Sequence, residues 1–291
     1  MVCIICESKK TNIIYNGYLR TGSFGKSTNE KHNVYHCSNC NTRFLQNRLA
    51  DDYYQTSDYR EDYNDSLNIN KFHEEHDLND TNKVTKITFN RLRDQIVADF
   101  GTGPGTFLEI IHSVANYTIA IEPTKHFHNS LQKYNKHVFS YANELVESGI
   151  KIDIATSFDV LEHVPSPLEY LTDIYTTLKD GGKLYLKTPN FNDILHELTA
   201  DKFDPFNYRT AHLFYFDALS LEYLLKKAGF KKYSICYSHD YDISNLLMWI
   251  KESKPTGLNK IDSFDNGFNL LYKEYLEKNG KASHLWIEAT K

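Results

Sequence analysis

Between positions 99 and 105 the chain reads Asp-Phe-Gly-Thr-Gly-Pro-Gly, three glycines at alternate positions behind an acid. Glycine enters left-handed backbone conformations without steric cost, so such a run turns tightly and brings main chain against a ligand. A helix starting directly behind it offers unpaired N–H groups. Glu122 lies 21 residues beyond Gly101, where a carboxylate after the next strand accepts the two hydroxyls of a ribose. The glycine spacing differs from the GxGxxG dinucleotide fingerprint. Asp99, Gly101, Thr102, Gly103, Gly105 and Glu122 together point to a nucleoside-bearing cofactor.

A second constellation lies at the N-terminus. Cys3 and Cys6 form one Cys-x2-Cys pair, Cys37 and Cys40 another, and the 30 residues between them have room for a β-hairpin. Two such pairs match the four thiolates of a closed, structural Zn²⁺ site. A reducing compartment favours metal over disulfides here. The segment is too small to hold a core alone, so the metal would supply its folding free energy. The fifth cysteine, Cys236, falls in a strand and reads as a core residue.

These groups need a scaffold, and its signals begin near Gln95. Apolar runs at Ile96–Phe100, Thr118–Glu122, Ile152–Phe158, Lys183–Lys187, Tyr233–Tyr237 and Leu285–Ala289, with a weaker one at Val138–Tyr141, alternate with amphipathic stretches. That alternation predicts βαβ units on a mostly parallel sheet. Thr106 with Glu109, and Ser166 with Glu169, read as capping boxes, and Asp217 as a third helix cap. Leu168, Leu171, Ile174, Tyr175 and Leu178 form one predicted buried stripe, and Gly229 a helix stop. Residues 1–48 form the predicted zinc module, 49–85 a connector or lid, and 86–291 the catalytic domain.

Composition narrows the class. The 291 residues are 41% hydrophobic and 14% aromatic, with 21 Tyr and 17 Phe, enough bulk to exclude disorder as the main state. No apolar run reaches the roughly 18–20 residues of a membrane span, and the N-terminus lacks a signal-peptide pattern, so a cytoplasmic protein is expected. Residues 1–48 carry seven basic and two acidic side chains, leaving a net −10 on the remainder of a chain whose total is −5. A basic head on an acidic body suits a phosphorylated partner better than nucleic acid.

Asp99–Gly105 resembles motif I of class I S-adenosylmethionine-dependent methyltransferases, and Ile121-Glu122-Pro123 resembles motif II. Asp159-Val160-Leu161-Glu162-His163-Val164 is similar to the segment after their fourth strand. Gly181-Gly182-Lys183-Leu184 and Thr188-Pro189-Asn190 resemble the borders of the fifth, and His212–Phe216 with Ala228-Gly229-Phe230 the approach to the sixth. The resemblance spans residues 85–291. It implies a Rossmann-like α/β fold with a seven-stranded sheet and helices on both faces, S-adenosylmethionine as cofactor and S-adenosylhomocysteine as product. By it, Asp99 holds the methionine amino group, Gly101, Gly103 and Gly105 line the methionine and ribose, Asn143 approaches the adenine, Ser157 and Phe158 flank the sulfonium, and Tyr59 reaches in from the lid.

With the cysteine quartet, and with Tyr35–Cys40 as second knuckle, the chain resembles zinc-containing methyltransferases of bacterial deoxysugar and surface-polysaccharide pathways. That resemblance implies a sugar or nucleotide-linked sugar as substrate. Methyl transfer to a hydroxyl needs a base, and His163, His212 and Tyr208 occupy the candidate positions, with Glu162 as partner to a histidine. Sugar C-methyltransferases carry a Glu-His pair before the sixth strand; here Ala211 precedes His212, which favours oxygen over carbon. Absence of an Asn-Pro-Pro-Tyr-like stretch after the fourth strand favours hydroxyl over amine. The alternatives are a zinc-module rRNA or tRNA methyltransferase, a sugar C-methyltransferase, and a non-enzymatic zinc interaction module. The run His126-Phe127-His128 reads as helix surface.

Overall fold

The computed structural model describes residues 1–46, 68–256, 261 and 263–291. Tyr59 lies outside them. In chain order the described elements begin with β1 (Thr11–Arg20), β2 (Ser27–Cys37), β3 (Arg43–Leu45), α1 (Ile69–Ile87), α2 (Phe89–Leu92), β4 (Ile96–Phe100), α3 (Thr106–Ile111) and β5 (Tyr117–Ile121). Next come α4 (His128–Leu131), β6 (His137–Phe139), α5 (Ala142–Glu147), β7 (Ile152–Phe158), α6 (Pro167–Thr177), β8 (Leu178–Pro189), α7 (Ile194–Asn207) and β9 (Phe214–Tyr215). The chain closes with α8 (Ala218–Ala228), β10 (Lys232–Ser238), α9 (Ile243–Glu252), α10 (Asn266–Lys278) and β11 (His284–Thr290). No helix among the described residues is long and apolar enough to cross a membrane.

Seven strands form one sheet in the order β10-β11-β8-β7-β4-β5-β6, flanked by helices in the Rossmann-like arrangement of class I methyltransferases. Pairs β7–β4, β4–β5 and β5–β6 are parallel. The chain leaves β4 toward β5 and β6, then returns to β7 on its other side. That reversal is a topological switch point, and in open α/β sheets ligands bind beyond the carboxyl ends of the two strands that flank it. Each of the seven strands lies where an apolar run foretold it. β8 starts five residues before Lys183 and runs through Gly181-Gly182.

The chain divides into two compact units. The glycine-loop unit comprises residues 49–186, 224–234 and 287–291. Its central strands are buried on both faces, as Val97, Ala98, Ile119, Ala120 and Ala155 show. The cysteine unit comprises residues 1–48, 187–223 and 235–286. It holds a four-stranded sheet of order β1-β2-β3-β9 over a core of Leu19, Val34, Leu45, Tyr208 and Tyr215.

Local chemistry departs from the sequence reading in several places. Helix α1 arises in a stretch read only as connector, because its buried residues Phe72, Asp80, Val84 and Ile87 make a thin stripe that includes a charge. Neither capping box forms. Gly105 is the N-cap of α3 and Ser166 makes no side-chain cap to α6. Thr106 Oγ1 bonds His73 Nδ1 at 2.8 Å instead. Asp217 does cap α8, its Oδ1 accepting the Ser220 N–H at 2.9 Å, and Gly229 has φ +111°. Cys236 is exposed rather than core, because β10 is the outer strand of its sheet and alternate residues face away. Nor is the run at 126–128 plain surface. Phe127 is fully buried, and His128 Nε2 meets the Glu122 carbonyl at 2.6 Å.

Candidate active site

The glycine loop leaves β4 and turns back under its own backbone. Gly101 N–H and Thr102 N–H both donate to the Ile121 carbonyl, at 2.7 and 3.1 Å. Gly101, Gly103 and Gly105 have φ of +82°, +58° and +101°, values that L side chains rarely adopt. A Cβ on Gly101 would stand 2.4 Å from Val160 Cγ2, so the loop can lie against the exit of β7 only as glycine. Helix α3 behind the loop has six residues, too short for a full macrodipole. The loop geometry therefore matters more than the helix end.

Asp99 is buried at the end of β4 and accepts a 2.6 Å bond from Thr156 Oγ1 on β7. Burial pushes its carboxyl up to about 6; the Thr156 bond and the Lys83 charge pull the other way. A buried carboxylate without an ion pair among the described residues is a costly arrangement that a cationic partner would relieve. Glu122, also buried, accepts Gly103 N–H at Oε2 (2.7 Å) and Thr124 N–H at Oε1 (2.8 Å). It braces the glycine loop, and each oxygen keeps a lone pair for a hydroxyl.

At the end of β7, Ser157 Oγ and Tyr170 Oη are 2.8 Å apart, and Tyr170 also reaches the Phe100 carbonyl at 3.5 Å. Burial holds the Tyr170 phenol above its usual range. Phe158 packs edge-on against Phe107, ring centroids 5.3 Å apart. Asn143 is exposed in the first turn of α5. Glu162 is buried, and its Oε1 lies 3.8 Å from His163 Nε2. Asp159, just before this pair, has φ +58°, an unfavourable conformation for a non-glycine residue beside a candidate site. Thr156, Tyr170 and Lys83 were not foreseen: each is an ordinary residue within a strand or helix, and only packing brings it to the crevice.

In the cysteine unit, His212 is buried beside the Tyr215 ring at 5.9 Å. Tyr208 is buried between Tyr15 and Tyr215, with centroids 4.5 and 5.0 Å away. Burial raises its phenol above the usual range, which keeps the group protonated and opposes its use as a base.

The four cysteines converge. Their sulfurs all lie within 4.8 Å of one another, with Cys3–Cys40 and Cys6–Cys37 at 3.6 Å. A disulfide needs about 2.05 Å. Four sulfurs at about 2.3 Å from a tetrahedral Zn²⁺ stand about 3.8 Å apart, so the donor set fits that ion. The contact between Cys3 and Cys40 draws the Cys40 thiol down and pushes the Cys3 thiol up, and burial raises that of Cys37, so the free thiols do not all ionise together without a cation among them. The expected hairpin, β1–β2, joins the two knuckles in antiparallel register Thr11↔Cys37. Strand β3 follows the second knuckle and pairs with β9, Arg43 opposite Tyr215. Asp217 Oδ2 accepts from Asn41 Nδ2 and from Arg43 Nη1 at 2.6 Å, tying the knuckle to the cap of α8.

A doubly wound sheet with a glycine loop, a buried acid and a loop-bracing glutamate at its switch point defines a nucleoside-cofactor enzyme. A family model described as a methyltransferase domain matches residues 72–235, more than half of the chain, and the chain belongs to that family. It is an S-adenosylmethionine-dependent methyltransferase. None of the curated proteins matches it. Among solved structures, an S-adenosylmethionine-dependent methyltransferase from Archaeoglobus fulgidus is similar at 19% identity and TM-score 0.53, covering 77% of this chain and 100% of its own. A possible histamine N-methyltransferase from Thermotoga maritima is similar at 18% identity and TM-score 0.50, covering 77% and 96%. At these identities the likeness is one of fold.

Proposed function

We propose that the enzyme methylates a hydroxyl of a sugar, a nucleotide-linked sugar or a surface-glycan precursor, and that Cys3, Cys6, Cys37 and Cys40 hold a structural Zn²⁺. The observation that carries the choice of a hydroxyl is the buried Glu162 beside His163 at the carboxyl end of β7. A hydroxyl acceptor must lose its proton as it attacks, and a histidine next to a carboxylate can take it. The choice of a sugar is supported by the resemblance of a four-cysteine module ahead of this domain to sugar-modifying enzymes. The +5 charge of residues 1–48 suits a phosphorylated substrate.

When bound, S-adenosylmethionine supplies a methyl group already activated by the sulfonium charge. The chain's own residues supply position. In this reading Asp99 receives the methionine ammonium, and Glu122 accepts the ribose hydroxyls while holding Gly103. The Gly101–Gly105 loop, Thr102 included, lies along the cofactor backbone. Ser157 and Phe158 close the crevice beside the sulfonium, and Asn143 faces the adenine edge. His163 takes the acceptor proton. His212 is the alternative base, and Tyr208 a positioning group for the acceptor.

The test uses S-adenosylmethionine with a labelled methyl group and an extract of the source cells, separated into small molecules, glycans and RNA. Label in sugar or glycan is expected. Label that enters RNA and is released by nuclease overturns the sugar assignment and favours an RNA methyltransferase. With the acceptor in hand, His163→Ala is expected to lose about 10²–10⁴-fold in kcat while keeping cofactor affinity. An unchanged kcat removes His163 as the base and leaves His212 to be tested in the same way.

A further inference from the structure

Lys83 is unusual for a lysine on a helix. Its side chain is only 14% exposed, and its partner Asp80, one turn earlier on α1, only 9%. The ammonium donates to Asp80 Oδ1 at 2.6 Å and lies 4.9 Å from the centre of the Phe158 ring. Among the described residues no other acceptor meets it, although an ammonium carries three N–H donors. Its charge also reaches Asp99, as does that of Asp80. A lysine, its aspartate, a buried aspartate and an aromatic face thus share the carboxyl edge of β4 and β7.

An amino acid is a zwitterion, and a site for one needs an anion for its ammonium and a cation for its carboxylate. Asp99 provides the first. A lysine beside Phe158 would otherwise repel a sulfonium lodged against that ring, unless an anion comes between them. We propose that Lys83 receives the carboxylate of the cofactor's methionine moiety, with Asp80 holding the lysine's own side chain in place. The proposal rests on the reading of Asp99 as the ammonium receptor. It also gives α1, a helix with a thin apolar stripe, a task in the site: carrying the half of the amino-acid clamp that the glycine loop lacks.

The probe pair is S-adenosylmethionine and its decarboxylated form, which keeps the sulfonium and the ammonium but has no carboxylate. Both are titrated calorimetrically into the full-length protein. In Lys83→Met, affinity for S-adenosylmethionine is expected to fall about ten- to a hundredfold, the usual range for a lost charge-assisted hydrogen bond, with the decarboxylated form bound as before or more tightly. Lys83→Arg keeps the charge and is expected to retain the preference for the carboxylate-bearing ligand. If Lys83→Met weakens both ligands alike, or neither, the proposal is overturned. Asp99→Asn separates the two readings. It should weaken both ligands, and if it leaves both unchanged the ammonium assignment fails and takes the Lys83 proposal with it.

Discussion

The crevice at β4 and β7 and the cysteine quartet are both small, buried arrangements of polar groups, but they are held in opposite ways. The crevice is braced by the chain itself. Gly103 and Thr124 donate to Glu122, Thr156 to Asp99, and Gly101 nests against Val160. The quartet has four sulfurs facing one another, an arrangement that repels itself once ionised unless a cation sits at its centre. One site is prepared by the sheet to receive a ligand. The other, in the reading proposed above, is held together by its ligand.

The largest effect that sharpens this contrast is metal removal. Stripping zinc with a chelator, or replacing Cys37 with serine, should unfold the cysteine module. Structural zinc is worth on the order of 10 kcal/mol to such a module. Metal analysis should give one zinc per chain beforehand, and amide exchange should show β1 and β2 losing protection afterwards. Retained protection without metal would show that packing alone holds the module.

Gly101→Ala strikes the other side of the comparison. A side chain at φ +82° that also meets Val160 has nowhere to go. A loss of roughly 2–4 kcal/mol in stability or cofactor affinity is expected, seen as a weakened S-adenosylhomocysteine titration with zinc content unchanged.

A smaller effect follows from Asp99. Its folded carboxyl titrates near 6, above the ordinary 3.8, because burial disfavours the charge. The protonated form dominates below that value, and a neutral carboxyl cannot pair with an ammonium. S-adenosylmethionine affinity should therefore be level above about pH 7 and fall by up to tenfold per unit below about pH 6. The sign for stability is opposite: the unliganded protein gains as pH drops from 6 toward 4, because the buried charge is discharged. Affinity that stays flat to pH 5 would place the ammonium elsewhere. The least effect is expected at Cys236→Ser, within about 0.5 kcal/mol by thermal melt, since the residue lies exposed on an outer strand.

How legible the molecule was depended on how local each feature is. The seven strands of the large sheet follow from short runs rich in apolar residues, and a run is visible to any reader of the chain. Asp217 and Gly229 act on their own helix, and their types sufficed. Thr106 and Ser166 look like caps by type and spacing. Neither caps, because Gly105 already turns the chain into α3 and His73 claims the Thr106 hydroxyl. Cys236 was misread because strand pattern does not say which strand lies outermost.

The residues fixed by sequence are those whose chemistry is written in type and interval: the glycines at 101, 103 and 105, Glu122 behind them, and the two Cys-x2-Cys pairs. A turn, a carboxylate after a strand and a thiolate knuckle each need only a few neighbouring residues. Tertiary structure alone decided the rest. It brought β9 from position 214 to complete the sheet of the cysteine unit. It set Thr156 and Tyr170 against the ends of β4 and β7, and it laid Lys83 over Phe158. Those contacts join residues far apart in the chain. Their energy comes from burial and from hydrogen bonds that exist only once the strands are in order, so no local pattern could have announced them.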